Sequence, residues 1–281
     1  MKIFKKSLIL SLSLVFIISE AHAMETDDAH KRITVKTSTT EPKESPAKIR
    51  RAVIRNLVGD NQQYSTQHPN KGPDNQSPRA TIVSCSDSRC QTTQFDQTPE
   101  EDLFVIRNIG NQFALTKGSI WYGVKHLKTP LLLFIGHAKC GAILAKLDGT
   151  EINPDIPQYV KDELKTLYVD DRNKNDLNLG IMKNVHHQVE QAIYEFDKEE
   201  NGKLITTKEL TVLGAIYDFR DDFGRGANSL IFINVNGNTN PVQIEDDFDF
   251  KASLNPIIGV GSVEKNKIKN EFFDTEKIEK K

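Results

Sequence analysis

The sequence is short of cysteine, and its thiols cannot all pair with one another. Only Cys85, Cys90 and Cys140 occur among 281 residues, and an odd number of thiols cannot close a disulfide framework. A small domain held together by disulfides is therefore excluded. Metal binding is the alternative use of two of the thiols, and no pattern in the sequence assigns a role to Cys90.

The chain also lacks a dominant charge and a long apolar run. Lys and Arg number 37 against 39 Asp and Glu, for a net charge of −2. Because nucleic acids and anionic membranes attract basic surfaces, neither is expected as a partner. The uncharged run at residues 8–18 is shorter than the roughly 20 apolar residues that cross a bilayer, and no later run is longer.

The amino-terminal segment has the pattern of a secretory signal peptide. Lysines at positions 2, 5 and 6 precede the apolar run, and Ala21 and Ala23 follow it at the spacing of a cleavage site. We expect residues 1–23 to be removed near Ala23 and the protein to be exported to the periplasm or beyond. An uncleaved amphipathic anchor is the alternative.

Residues 24–45 are polar and predict a flexible leader, and residues 243–281 predict a charged extension.

The segment between these ends, residues 46–242, predicts one α/β domain. Apolar residues at helical spacing behind Ser45 and Pro46 predict an amino-terminal helix, which should pack on the domain or on a partner subunit. Buried strands and helices are predicted to alternate beyond it, which favours a mostly parallel central sheet of four to five strands flanked by helices. The predicted strands are Ala80–Ser84, Leu103–Ile106, Leu131–Ile135, Leu210–Tyr217 and Leu230–Val235, and the predicted helices are Lys117–Leu127, Gly141–Leu147, Gln158–Tyr168 and Ile181–Phe196.

Three metal-binding side chains follow predicted strands. Cys85 directly follows one strand, and His137 and Cys140 come just after another, about one helical turn apart. Thiolate and imidazole are the preferred zinc donors, and three protein ligands with an open fourth position are typical of a catalytic zinc site. The pattern therefore predicts one zinc ion held by Cys85, His137 and Cys140.

Asp87 and Arg89 stand beside the first of these ligands and admit two interpretations. They form either a surface ion pair of little consequence or an oriented pair beside the metal. In the second case Asp87 accepts a hydrogen bond from a metal-bound hydroxide, although it could instead bind zinc itself and close the site.

These motifs resemble those of the β-class carbonic anhydrases. Cys-x-Asp-x-Arg at Cys85–Arg89 and His-x-x-Cys at His137–Cys140 are accompanied by two further family-like stretches, Arg107–Asn111 and Gly214–Asp218. The resemblance implies an enzyme with one zinc per subunit that interconverts carbon dioxide and bicarbonate by attack of zinc-bound hydroxide. It also implies a homodimer or an assembly of dimers, with active sites near the subunit interface.

Finer matches resemble the plant-like branch of that family. Gln76, Phe104 and Tyr122 occupy the positions that line its carbon dioxide pocket, and Ile109 and Gly141 complete the implied pocket. His126 stands on the helix that carries Tyr122, where plant members also have histidine, and it is the candidate proton shuttle. A surface histidine without a role is an equal alternative for His126.

Two other functions fit the same ligands. Relatives hydrolyse carbonyl sulfide or carbon disulfide with this zinc constellation, and a non-catalytic exported zinc-binding protein would keep the ligands alone. The resemblance to the plant-like branch favours a zinc ion whose fourth position is open over one whose fourth position is closed by Asp87. Because two thiolates neutralise the metal charge, we expect activity to rise towards alkaline pH.

Overall fold

A computed structural model describes residues 44–150, 153–170 and 175–246 of the chain. The expected signal peptide, nearly all of the expected leader and most of the expected carboxyl-terminal extension lie outside the described residues. The chain divides into two compact units, one up to Lys71 and one from Gly72.

The described part of the first unit is a single long helix, α1 (Pro46–Gln67). Its start follows the predicted pattern: the Ser45 side chain accepts a hydrogen bond from the Lys48 N–H, and proline occupies the first turn, where its missing N–H costs nothing. The predicted helix is confirmed, and its packing partner stays a prediction. The apolar side chains of its stripe are exposed: Ile49, Val53, Ile54, Leu57 and Val58.

The second unit is built on a five-stranded sheet with the order β2-β1-β3-β4-β5. The first four strands run parallel and β5 pairs antiparallel with β4. This confirms the predicted α/β fold with a mostly parallel sheet, and each strand lies where an apolar run predicted it. The strands are β1 (Ala80–Cys85), β2 (Leu103–Asn108), β3 (Leu131–His137), β4 (Thr211–Asp218) and β5 (Ser229–Val235).

Helices cover the sheet because its central strands are apolar on both faces. The helices are α2 (Lys117–Trp121), α3 (Gly141–Leu147), α4 (Gln158–Lys165), α5 (Leu177–Phe196) and α6 (Pro241–Asp246). The long helix α5 packs against β3 and β4 through a buried stripe that includes Val185, Val189 and Phe196. The face of the sheet opposite α5 has its own core, which includes the buried side chains of Leu133 and Ala215. No helix among the described residues is long and apolar enough to span a membrane.

The helices differ from the predicted ones at four places, one of which is the start of α5, at Leu177 instead of Ile181. The segment predicted as a helix at Lys117–Leu127 is α-helical only up to Trp121 and then forms a π-helical turn, Tyr122–His126. The turn packs closely on β1, since a Cβ atom added to Gly123 would lie 2.2 Å from the Thr81 hydroxyl oxygen. Helix α4 ends before the predicted Tyr168. Helix α6 was not predicted, and it places Ile244 in the core.

Candidate metal centre

The three predicted metal ligands meet at the carboxyl edge of the sheet. Cys85 is the last residue of β1 and His137 is the last residue of the neighbouring strand β3. Cys140 precedes the first residue of α3. Their donor atoms all lie within 4.8 Å of one another, and all three residues are buried. The parallel order brings them together because parallel strands end at the same edge.

The histidine is oriented as a metal ligand would be. His137 Nδ1 lies 2.9 Å from the Ala138 carbonyl oxygen, so that nitrogen carries the proton. The buried Nε2 has no hydrogen-bond partner within the described residues, although buried polar atoms are nearly always paired. A tetrahedral zinc ion separates its donor atoms by roughly 3.5–3.8 Å, which agrees with this cluster. The three residues therefore form a site that could hold a metal ion.

The two thiols differ in acidity. The hydrogen bond with Cys140 and the nearby His137 lower the pKa of Cys85 to about 4, against the opposing effect of burial. The Gly110 N–H also points at the Cys85 sulfur, 3.5 Å away. The shared hydrogen bond and burial raise the pKa of Cys140 well above its usual value. Cys85 is therefore the first thiolate available to a cation, because thiolates rather than thiols bind metals.

The loop that supplies the Gly110 N–H depends on two residues. Asn108 accepts a hydrogen bond from the Gln112 N–H and donates one to the Gln112 carbonyl oxygen, both at 2.7 Å. Gly110 has a φ of +77°, and an added Cβ atom would lie 2.4 Å from the Leu167 side chain. Glycine is favoured at this position, because the left-handed backbone strains other residues and an added Cβ atom would have to displace the Leu167 side chain.

The predicted pair of Asp87 and Arg89 is present beside the metal centre. Arg89 Nε donates to Asp87 Oδ1 at 2.8 Å and Arg89 Nη2 donates to Oδ2 at 2.6 Å. The Arg89 side chain is the main cause of an Asp87 pKa well below its usual range. Asp87 Oδ2 is 3.9 Å from His137 Nε2. A fully ionised carboxylate therefore stands next to the unpaired nitrogen.

Arg107 secures the backbone of the same segment, a role that the sequence analysis did not give it. Its Nε donates to the Cys85 carbonyl oxygen at 3.1 Å and its Nη2 donates to the Asp87 carbonyl oxygen at 2.7 Å. Its place in the family-like stretch Arg107–Asn111 was the only signal in the sequence.

Phe104, Tyr122 and His126 form a separate group. The Phe104 and Tyr122 rings lie 5.8 Å apart, and the Tyr122 and His126 rings are stacked at 4.5 Å. Phe104 pairs with Thr81, four residues before Cys85 along β1. At about 3.3 Å per residue, it is about 13 Å along the strand from the metal ligand. Phe104 is therefore brought together with Tyr122 and His126, and it stands well away along the strand from Cys85 of its own chain.

Of the other three predicted pocket residues, two lie near the metal ligands at the carboxyl edge of the sheet and one lies before β1. Ile109 directly follows β2 and is half exposed, while Gly141 begins α3 next to Cys140, so both lie at the carboxyl edge of the sheet. Gln76 is exposed in the segment before β1. Their roles in binding stay predictions.

Comparison with known proteins agrees with this site. The family model described as carbonic anhydrase matches residues 80–224, which span all four parallel strands and the three metal-ligand positions. A carbonic anhydrase of Emericella nidulans is 28% identical over 173 residues, covering 57% of this chain and 73% of that relative. Carbonic anhydrase 2 of Mycobacterium tuberculosis is 36% identical over 96 residues. That alignment covers 30% of this chain and 46% of the relative, less than half of its length.

Among solved structures, one from Sordaria macrospora, described as a tetrameric β-carbonic anhydrase, has 22% sequence identity and a TM-score of 0.49, with 67% of this chain and 98% of that chain covered. The family model covers just over half of the sequence and includes Cys85, His137 and Cys140. On that match, the chain belongs to the carbonic anhydrase family.

Proposed function

We propose that the protein catalyses the zinc-dependent, reversible hydration of carbon dioxide to bicarbonate and a proton, with one zinc per subunit. The observation that carries this proposal is the buried cluster of Cys85, His137 and Cys140, whose unpaired His137 Nε2 stands beside an arginine-bound Asp87. Three protein donors leave a fourth position for the reaction. When bound there, zinc supplies an acidified water near neutral pH.

Asp87 orients the nucleophile in this proposal. An ionised carboxylate only accepts hydrogen bonds, so Asp87 can take one from an O–H group at the metal centre and fix the direction of its lone pair. Both carboxylate oxygens are already bound by Arg89. This arrangement supports an open fourth position, because Asp87 would have to leave Arg89 to close the site.

The substrate pocket is completed by a second copy of the chain. Phe104 lies about 13 Å along the sheet from Cys85 of its own chain, which is far for lining the same small pocket, and the Tyr122 ring lies 5.8 Å from the Phe104 ring. They belong to the edge strand β2 and the adjoining helical segment, where Val105, Trp121 and Tyr122 are exposed. An apolar sheet edge is suited to pairing with another subunit. A two-fold dimer would place this group against the partner's metal centre.

His126 is the proposed proton shuttle, and Gln76 the proposed hydrogen-bond donor to substrate. His126 stacks on Tyr122 at the same exposed edge, which would let it pass protons from the pocket to buffer. These side chains, with Ile109 and Gly141, support the plant-like branch.

The enzyme is proposed to act outside the cytoplasm. The charged start, the apolar run and the small residues near Ala23 support export and cleavage of residues 1–23. Bicarbonate supply or pH control in the periplasm or outside the cell would follow. Mass spectrometry of the exported protein tests the cleavage, and a mature chain that still begins at Met1 would contradict it.

Stopped-flow carbon dioxide hydration on protein of measured zinc content tests the proposed activity. We expect zinc at one per chain and a rate far above background, rising with pH. His137→Ala should lose both zinc and activity, because two thiols alone bind the ion poorly. The matched control is His68→Ala, which removes an exposed histidine directly after α1 and should change neither.

The two alternatives give different results in the same assay. A zinc-loaded protein that hydrolyses carbonyl sulfide or carbon disulfide but does not hydrate carbon dioxide would be the related hydrolase. A zinc-loaded protein with no turnover of any of these substrates would be a zinc-binding protein only.

A further inference from the structure

Phe219 directly follows β4 at the rim of the metal centre and touches Arg89. The central carbon of the Arg89 guanidinium lies 4.6 Å from the centre of the Phe219 ring, over its face. The ring centres of Phe219 and His137 are 6.4 Å apart, with their planes inclined by 28°. Phe219 therefore contacts the arginine that holds Asp87 and also lies near a metal ligand.

The hydrogen bonds of the Arg89 guanidinium leave one motion unrestrained, which is tilting of the guanidinium plane. Its hydrogen bonds go to the two Asp87 oxygens and, from Nη2, to the Lys139 carbonyl oxygen at 3.2 Å. Such bonds lie near the guanidinium plane, so they restrain sliding more than tilting. The Arg89 side chain is 44% exposed, so solvent does not restrain it either. An aromatic face against the guanidinium opposes the tilt.

The turn that carries Phe219 is firmly held. Asp218 is fully buried and its carboxylate accepts hydrogen bonds from the N–H groups of Arg220, Asp222 and Phe223, at 3.2, 3.0 and 2.7 Å. Three donors on one carboxylate define the backbone path from the end of β4. The ring therefore stands on a rigid support.

The two restraints on Arg89 are also joined to each other. Lys139 Nζ lies 3.4 Å from Asp222 Oδ2, which links the loop that offers the carbonyl oxygen to the turn that offers the ring. The Phe219 ring also packs near Tyr217, with centroids 6.1 Å apart, and against the core cluster on that face of the sheet.

We propose that Phe219 is a positioning residue: its ring fixes the plane of the Arg89 guanidinium and, through it, the direction of the Asp87 carboxylate at the metal centre. This rests on the proposed hydration activity. Without the ring, Arg89 tilts and the Asp87 oxygens lose their fixed direction. The turnover number should then fall with little change in KM, because the ring acts on orientation and not on binding.

The test compares Phe219→Leu with Phe219→Tyr, which keeps the aromatic face. We expect the leucine variant to lose about tenfold in kcat with KM changed less than about twofold, and the tyrosine variant to stay within about twofold of the parent. A second readout needs no turnover: the 15N heteronuclear NOE of the Arg89 Nε–Hε group in zinc-free protein. It should fall in the leucine variant and recover in the tyrosine variant.

The matched control is Tyr194→Leu. Tyr194 carries the same kind of contact on α5, with Lys198 Nζ 4.8 Å from its ring centre. It should alter neither kcat nor the Arg89 signal. Phe219→Met adds a variant that keeps apolar volume without an aromatic face, and it should behave like the leucine variant.

Three results would overturn the proposal: an Arg89 signal as rigid in the leucine variant as in the parent, a tyrosine variant as impaired as the leucine variant, or failure of both the leucine and methionine variants to fold. The last would make the ring a requirement of the fold. If the parent hydrates no carbon dioxide while Arg89 mobility still depends on the Phe219 ring, the proposed activity fails and the positioning role stands.

Discussion

The two ends of strands β1 and β2 carry the same kind of ion pair in different surroundings. At the amino end, Arg79 pairs with Asp102 through two hydrogen bonds, and the Arg79 side chain is 82% exposed. At the carboxyl end, Arg89 pairs with Asp87 in the same two-pronged way, but its side chain is 44% exposed.

The difference lies in what else touches each pair. At the carboxyl end, the Arg89 N–H also donates to Asp87 at 3.0 Å, the Lys139 carbonyl oxygen accepts from Arg89, and Arg107 binds the Asp87 backbone. An exposed arginine–carboxylate pair contributes little by itself. At the amino end, the Arg79 and Ala80 N–H groups donate to the Asp102 carbonyl oxygen and not to its carboxylate. The comparison teaches that backbone contacts to the carboxylate and to the arginine side chain, and not the pair as such, turn Asp87 into an oriented acceptor at the metal centre.

The largest expected effect is on activity, which should depend on the Asp87 carboxylate and not on the Asp102 carboxylate. Asp87→Asn should lower kcat/KM by about 100-fold, because an amide cannot replace a carboxylate that orients a hydroxyl group. Asp102→Asn is the matched control, since it removes the same charge from the same kind of pair, and it should stay within about twofold of the parent. Stopped-flow hydration with zinc measured on each sample checks both.

Zinc content decides how that result is interpreted. Both variants should keep one zinc per chain, because neither residue is among the three donors. Equal losses of activity in the two variants would mean that Asp87 has no special role.

A second prediction concerns the separation of Phe104 and Tyr122 from the metal ligands. If a partner supplies the pocket, His137→Ala and Tyr122→Ala chains each lack a different half of the site. Equal mixing after dissociation should yield mixed dimers with one complete site, restoring about a quarter of the parent activity by random pairing in a two-fold dimer. Mixing is followed by stopped-flow hydration before and after subunit exchange.

Its control is a mixture in which both changes sit on the same chain. His137→Ala/Tyr122→Ala chains mixed with His137→Ala chains cannot form a complete site and should stay inactive. The mixture of the two single variants could instead stay no more active after subunit exchange than before it. That result would show that each chain uses its own Tyr122, or that no such pocket exists.

Local pattern was enough to predict the sheet and the metal ligands. Uninterrupted apolar runs such as Leu131–Ile135 have the length and composition of strands buried on both faces, and the ligands directly follow such runs. Because parallel strands share one carboxyl edge, placing Cys85 and His137 at strand ends already predicted that they would meet.

Features that depend on contacts between distant segments could not be predicted in this way. The π-helical turn at Tyr122–His126 packs on Thr81, about 40 residues away, and no local periodicity encodes that contact. Ile244 lies in a charged segment, yet it fills a place against the sheet. The distance of Phe104 from Cys85 depends on the register of β2 against β1, which sequence alone does not specify.

The smallest expected effect is the contribution of the two ion pairs, at the amino and carboxyl ends of β1 and β2, to the pH dependence of folding stability. The Arg89 side chain holds the pKa of Asp87 below its usual 3.8, and Arg79 acts on Asp102 in the same direction. A carboxyl group whose pKa is lower when folded stabilises the fold above its unfolded pKa, and that contribution is lost as pH falls below about 3.8.

The melting temperature of zinc-free protein from about pH 7 down to about pH 3 measures this contribution at each end. Asp87→Asn should lower the melting temperature by about 2–4 °C near neutral pH, a difference that begins to shrink near about pH 3.8, where the carboxyl group of the unfolded parent takes up a proton while the folded one stays ionised. Asp102→Asn should give a smaller difference, because solvent screens the exposed Arg79. A difference that stays constant down to the lowest pH would trace the stabilisation to packing around Asp87 instead of its charge.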